Sequence, residues 1–379
     1  MMKKFFRRGM ALLCAGLLAV SSLPALALEA EEVTAPAAVL MDAATGTVLF
    51  EKNPHEQRAC ASVTKVMTLL LVFEALDSGK IALTDEVTAS AHAAGMGGSD
   101  IWLETGEVMT VDELIRATVI MSANDAAVAL AEYVSGTEDD FVRAMNEKAA
   151  ALGMNDTTFK NPNGLDEDGH LTSAYDVALM SRELLTHKGI FDYTTRWIDY
   201  LRDNKTQLVN TNKLIKTYPG ITGLKTGTTG AAGSCISATA ERDGLSLIAV
   251  VLGASSTEER FGAAAKLLDY GFANFAAAVP TLPELTAVPV TGGMSQWVQL
   301  TTGEPGTYIV KKGSAGIVSV PVLPETLKAP VRPGDEVGKI EFYNGETLLG
   351  TQPVFAAEGA DAITLGAVFR LLLACLCRV

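Results

Sequence analysis

Ile221-Thr-Gly-Leu-Lys225, Ser234-Cys-Ile-Ser-Ala-Thr-Ala240 and Leu245-Ser-Leu-Ile-Ala-Val-Val-Leu252 form three apolar, β-branched runs. Short polar stretches separate them. Each run has strand length, and Glu241-Arg-Asp-Gly244 supplies a hairpin turn between the last two. Near the N-terminus, Ala38-Val-Leu-Met-Asp42 and Thr47-Val-Leu-Phe50 flank Ala43-Ala-Thr-Gly46 and read as another hairpin. Helical patterns fill the interval. Residues 62–77 are apolar on every face, which predicts a helix at a domain centre. Thr110 and Glu113 form a capping box for a helix over 111–121, and a further helix runs from about Asp125 to Val134. Asn161-Pro-Asn-Gly164 marks a turn, and Ser173 caps a helix over 174–186. Residues 258–275 return to helical periodicity. Strands first, helices in the middle and strands last predict an α/β fold: an antiparallel sheet with a helical cluster.

Pro280 to Pro289 reads as a linker. From 290 to 355, short apolar runs alternate with Gly and Pro, as in Trp297-Val-Gln-Leu300 and Val318-Ser-Val-Pro-Val322. That pattern predicts a small β-sandwich without a chemical motif. The segment from Ile363 to Val379 is apolar but carries Arg370 and Arg378. It is short for a membrane span, and Gly366, Ala374 and Cys377 flank Arg370 on a helical wheel, leaving a wide Leu/Phe/Val face. It is read as an amphipathic membrane anchor over 361–379.

At the other end, Lys3, Lys4, Arg7 and Arg8 precede an apolar run that closes in Ala25-Leu26-Ala27. This is the pattern of a secretory signal peptide over 1–27; with the anchor expected over 361–379 it predicts an exported protein held peripherally at the outer face of the cytoplasmic membrane. Its removal takes four positive charges and no negative ones, so the net charge moves from -14 to -14 - 4 = -18. An acidic body of that kind argues against nucleic acid as a partner. The cysteines left after such a cut, Cys60, Cys235, Cys375 and Cys377, are too few for a disulfide framework in a chain of 379 residues. Cys60 and Cys235 fit best as buried free thiols.

Three signatures carry chemistry. Ser62-Val-Thr-Lys65 places a hydroxyl and an amine at i and i+3 on one helix face. Lys65 must be neutral to serve as base, and both burial and a second cation such as Lys225 would lower its pKa. Ser122-Ala-Asn124 falls between two helices and offers a hydroxyl for proton relay and a carboxamide for a substrate amide. Lys225-Thr226-Gly227 closes a strand; its ammonium and hydroxyl suit a carboxylate, and Gly227 permits close backbone approach. Taken singly, each has an ordinary explanation as a helix cap or a strand end. Their order and placement join them into one acyl-transfer site. Competing sets are poorly represented. The four histidines make no zinc pattern and no G-x-S-x-G elbow occurs, so neither a metal nor a cofactor is called for.

The text around the signatures is extended. It includes Ala61-Ser-Val-Thr-Lys-Val-Met-Thr68, Gly97-Gly-Ser-Asp-Ile-Trp-Leu-Glu104, Ser122-Ala-Asn-Asp-Ala-Ala127, Asn161-Pro-Asn-Gly-Leu165, Ser173-Ala-Tyr-Asp176 and Gly223-Leu-Lys-Thr-Gly-Thr228. This resembles the exported serine-type D-alanyl-D-alanine carboxypeptidases, low-molecular-mass penicillin-binding proteins of peptidase family S11. The resemblance implies a β-lactamase/transpeptidase-like domain over 33–277 and a β-sandwich domain over 284–357. It implies that Ser62 attacks the penultimate D-Ala of a peptidoglycan stem pentapeptide, Lys65 takes its proton and Ser122 relays one to the leaving D-Ala. Asn124 then binds substrate, Lys225, Thr226 and Gly227 receive its carboxylate end, and Thr228 joins Ser62 in an oxyanion hole. β-Lactams would acylate the same serine.

Two positions depart from the family pattern: Cys60 stands where Pro is usual, and Thr228 follows Gly227 where relatives vary. A class A β-lactamase would want Ser-Asp-Asn in place of Ser122-Ala-Asn124, and a deacylating Glu-x-x-Leu-Asn that the chain lacks. A non-catalytic wall-binding scaffold would have no reason to keep all three signatures.

Overall fold

The computed structural model describes residues 28–376. The chain divides between Asn274 and Phe275 into two units.

The first unit is built on a five-stranded antiparallel sheet. Its strands are β1 (Ala37–Asp42), β2 (Val48–Lys52), β3 (Ile221–Thr229), β4 (Gly233–Arg242) and β5 (Leu245–Ala254), in the order β2-β1-β5-β4-β3. Every residue of β1 is buried. That is the burial expected of a strand covered on both faces. Side chains alternate with period two. Val39 and Met41 join the core beneath the helical cluster. Leu40 faces the other way, toward Gly271 of a long helix over Thr257–Asn274. A Cβ at Gly271 would lie 2.5 Å from Leu247 and 2.9 Å from Leu40, so this glycine lets the helix settle directly on the sheet.

The helical cluster contains α1 (Lys65–Asp77), α2 (Val111–Arg116), α3 (Asn124–Ser135), α4 (Glu138–Ala151) and α5 (Ala174–Leu184). α1 is the central helix, packing against α3, α4 and α5. Its residues Val66, Met67, Leu69, Leu70 and Val72 are buried on all sides, as the all-apolar sequence predicts. The capping box at Thr110 forms, and Ser173 caps α5 by accepting from the Asp176 amide.

Three local features differ from the sequence reading. The helix expected to start at Ser62 opens as a 3-10 turn over Ala61–Thr64, with Ala61 at φ +49 and the α-helix beginning at Lys65. The helix expected over 111–121 relaxes after Arg116 into a π turn over Ala117–Met121 and stops at Ser122, φ +66. The wider turn accommodates one extra residue per hydrogen bond, a device common at functional sites. Finally, β3 continues past Lys225 to Thr229, which brings Thr226, Gly227 and Thr228 onto the strand. It is the edge strand next to β4, and among the described residues no strand pairs with its other edge.

The second unit is β-rich. A four-stranded sheet contains Leu300–Thr301, Thr347–Ala356, Glu336–Asn344 and Ile317–Val322 in that spatial order. A three-stranded sheet contains Trp297–Val298, Val288–Thr291 and Leu327–Lys328. Ile340, Phe342 and Val354 form one small core, and Val298, Val331, Ala356 and Ala360 another. A last helix spans Leu365–Leu376 and exposes Leu365, Phe369, Leu372 and Leu376. Among the described residues, no helix is long and apolar enough to cross a membrane. Residues 1–27, read as a signal peptide, and 377–379 at the end of the expected anchor lie outside the described residues.

Candidate active site

Three elements converge beside the free edge of β3: the turn over Ala61–Thr64, the junction between the π turn and α3, and β3 itself. Ser62 sits in the turn, three residues before α1 begins at Lys65. Lys65, fully buried, points its Nζ at three oxygens: Ser62 Oγ at 2.9 Å, Asn124 Oδ1 at 2.5 Å and the Asn163 carbonyl at 2.6 Å. Lys225 is equally buried and donates to Ser122 Oγ at 2.8 Å and to the Thr226 carbonyl at 2.9 Å. The cleft therefore holds two lysine–serine pairs. Lys65 serves Ser62, and Lys225 serves Ser122.

Burial dominates the electrostatics. It pushes Lys65 well below the ordinary lysine range, and the charge of Lys225 pushes it further. Lys225 itself falls to about 7, through burial first and the Arg260 guanidinium second. Neutral Lys65 is the form that can accept a proton from Ser62.

Asn124 does not cap its helix. The N-cap is Ala123, without a side-chain cap bond. The carboxamide instead accepts from Lys65 and donates to the Gly97 carbonyl at 2.7 Å. The Ser122 hydroxyl meets Lys225, and the left-handed backbone there turns the side chain out of the helix axis into the cleft. The ordinary capping explanation of this tripeptide is thus replaced by contacts within the site.

Gly227 fits against the serine turn. A Cβ there would lie 2.7 Å from the Ser62 nitrogen, 2.7 Å from the Cys60 carbonyl and 2.9 Å from the Val63 nitrogen. All three are backbone atoms, so only glycine fits. Gly164, φ +83, is pressed to the same turn; a Cβ on it would fall 2.0 Å from the Ala61 carbonyl oxygen. Thr226 donates to Thr211 Oγ1 at 2.7 Å. The Thr228 hydroxyl donates to its neighbour's carbonyl at Gly227 and accepts from Arg260 Nη1 at 3.0 Å. All eight residues singled out by sequence meet in this one cleft.

One neighbour, Arg260, escaped the sequence reading. Arg260, on the long helix, also donates to the carbonyls of Gly227 and Cys235, and no motif marks it. His170 is buried, and its pKa falls to about 4 because of that burial. Its Nδ1 accepts from the Lys160 amide, so Nε2 carries the hydrogen and donates to Thr64 Oγ1 at 2.8 Å. Cys60 and Cys235 are buried free thiols, and burial pushes Cys60 up to about 12. Among the described residues, no group of three or more His, Cys, Asp or Glu is placed to hold a metal.

Residues 25–256 match the S11 peptidase family, D-alanyl-D-alanine carboxypeptidase. The chain belongs to this family. Residues 283–361 match a second family, the penicillin-binding protein 5 C-terminal domain. The S11 chain is 45% identical to the D-alanyl-D-alanine carboxypeptidase DacF of Bacillus subtilis, over 86% of this chain and 85% of that one. It is similar to penicillin-binding protein 5 of Haemophilus influenzae, with a TM-score of 0.79 and 29% identity, covering 89% of this chain and 99% of that one. It is also similar to penicillin-binding protein D2 of Listeria monocytogenes in an ampicillin-bound form, with a TM-score of 0.58 and 34% identity, covering 63% and 98%. Family membership makes the chain a serine-type carboxypeptidase of the β-lactamase/transpeptidase-like fold and disfavours the class A β-lactamase and scaffold alternatives.

Proposed function

We propose that this S11 enzyme is exported and removes the terminal D-Ala from peptidoglycan stem pentapeptides through an acyl-enzyme on Ser62, serving cell-wall biogenesis and remodelling. The double lysine–serine arrangement carries the reading: Lys65 on Ser62 and Lys225 on Ser122, beside a strand edge whose glycine touches the Ser62 amide.

In the first step neutral Lys65 takes the Ser62 proton as Oγ bonds to the carbonyl carbon of the penultimate D-Ala. The resulting oxyanion lies between the backbone N–H groups of Ser62 and Thr228, each such donor being worth about 3–4 kcal/mol in comparable sites. Asn124 holds a substrate amide, while Lys225 and Thr226 hold the terminal carboxylate. Ser122 passes a proton to the departing nitrogen; the C–N bond breaks and D-Ala leaves. Water then adds to the ester carbonyl and the Ser62 oxygen departs, recovering its proton. A β-lactam opens its ring onto the same oxygen and leaves slowly. The ampicillin-bound relative supports this second chemistry.

The site residues act at the membrane's outer face in this reading. The basic-then-apolar pattern of 1–27 supports export, and the exposed apolar face of the helix over Leu365–Leu376 supports peripheral anchoring. Comparing the mature chain with one ending at 361 for sedimentation with lipid vesicles tests the anchor; equal binding by both would discard it.

The decisive experiment is covalent labelling by a fluorescent penicillin together with D-Ala release from a pentapeptide. Both are expected in the unaltered protein, and neither in Ser62→Ala. Equal labelling of Ser62→Ala would refute the assignment, and rapid penicillin turnover without D-Ala release would favour a β-lactamase.

A further inference from the structure

The C-terminal end of β3 is held by strand pairing from one side only. Thr228 and Thr229 pair with Ser234 and Gly233 of β4, and no described strand meets the other edge. Element ends supported so lightly fray. Yet the proposed mechanism needs the Thr228 amide fixed beside that of Ser62, because an oxyanion donor works only when it is set in place beforehand.

A second support comes from Asp166. Its Oδ1 accepts from Thr229 Oγ1 at 2.6 Å, and its Oδ2 accepts from the Ala231 amide at 3.2 Å. Thr229 Oγ1 accepts in turn from the Ala232 amide at 3.1 Å. One carboxylate thus gathers the connection between β3 and β4, directly or through one hydroxyl. Asp166 is exposed, so core packing does not account for it.

Asp166 stands on a stiff base. The Pro162 carbonyl accepts from Thr68 Oγ1 at 2.5 Å and the Asn163 carbonyl from Lys65 Nζ at 2.6 Å, both donors lying on α1. Gly164 is pressed against Ala61 of the serine turn. The Asn161 carboxamide braces the segment from within, accepting from the Gly164 amide at 2.7 Å and donating to the Leu165 carbonyl at 3.1 Å. Residues 161–166 are therefore fixed at one end to the element that carries Ser62 and Lys65. At the other end they grip the strand that carries Thr228. The segment is a strut between nucleophile and oxyanion donor.

We propose that Asp166 is a positioning residue, which sets the Thr228 amide at the distance from Ser62 that the oxyanion needs. The proposal rests on the carboxypeptidase reading and adds a residue that no motif marks. Asp166 acts through Thr229 and the backbone, so its effect falls on the transition state, where the charged oxygen exists, and not on ground-state binding.

The test measures kcat and KM for D-Ala release from Nα,Nε-diacetyl-L-Lys-D-Ala-D-Ala. Each rate is expressed per site titrated to completion with a fluorescent penicillin, which removes unfolded enzyme from the count. In Asp166→Ala, kcat and kcat/KM are both expected to fall by roughly 10- to 100-fold, with KM changed by less than about 3-fold. Asp166→Asn keeps one acceptor oxygen for Thr229 and is expected to recover part of the loss. Thr229→Val cuts the same strut, so the double variant Asp166→Ala/Thr229→Val is expected to lose no more than the worse single one. An unchanged kcat per titrated site in Asp166→Ala overturns the proposal. So does a loss confined to KM, or losses that multiply in the double variant. Penicillin acylation rates, which draw on the same two amides, are expected to fall in parallel. If the unaltered enzyme is labelled by penicillin but releases no D-Ala, the carboxypeptidase reading fails, while the acylation rates still decide whether Asp166 positions the site.

Discussion

Lys225 weakens proton binding at Lys65, second only to burial itself. In the proposed mechanism, the strand that would receive the carboxylate thereby also prepares Lys65 as base. Replacing Lys225 with Met removes that repulsion, so the Lys65 pKa rises. The acidic limb of the pH–rate profile for penicillin acylation is expected to move to higher pH in Lys225→Met. An unmoved limb would mean that the two amines do not communicate.

The same burial opposes folding. Lys225 has a folded pKa of about 7, below its unfolded value, so the unfolded chain binds more protons between about 7 and the ordinary lysine value near 10.4. Stability carried by this group therefore increases as pH rises through that window, and is at its lowest below it. Lys225→Met is expected to raise the melting temperature at neutral pH by several degrees while abolishing efficient D-Ala release. Thermal melts at a series of pH values check both the sign and the window.

Gly227→Ala sets a Cβ against three backbone atoms of the serine turn, none of which can rotate away. The strand or the turn must move. A loss of about 1–3 kcal/mol in stability is expected, with a fall in acylation rate of more than about 100-fold, since misplacement of a nucleophile by 1 Å is costly. Denaturant titration and penicillin acylation kinetics measure the two effects.

Ser122→Ala leaves Lys225 without its hydroxyl partner and removes the relay proposed for the leaving nitrogen. A drop of roughly 10²–10⁴ in kcat for D-Ala release is expected, the usual worth of a positioned acid or base. Retention of full kcat would remove Ser122 from the mechanism.

His170→Phe keeps the ring but deletes both hydrogen bonds, to Thr64 Oγ1 and from the Lys160 amide. The buried threonine and amide then lack partners, and a loss of about 1–3 kcal/mol is expected. His170→Gln, which can restore one bond, should recover part of it in the same unfolding measurement.

Much of the fold was legible where local chemistry decides structure. Thr110 with Glu113, Ser173, and Glu241 to Gly244 are signals whose partners lie within a few residues. The π turn at Ala117–Met121 was not legible: it ends at Ser122, whose partner Lys225 lies 103 residues further along the chain. The motif residues announced themselves by type and spacing. Arg260 did not: its acceptors on Gly227, Thr228 and Cys235 are 25 to 33 residues away and two are backbone oxygens, which leave no trace in side-chain patterns. The Asn163 carbonyl beneath Lys65 was hidden for the same reason.

Gly227 and Gly164 both press on the serine turn, with no room for a methyl group on either. A turn pressed by two backbone segments in this way yields little to a bulky adduct. Adaptation to larger acyl groups, or escape from an inhibitor, must therefore come through the far wall, where the 97–104 loop meets Asn124. The nucleophile is the fixed jaw of this enzyme, and its evolutionary freedom lies in the other one.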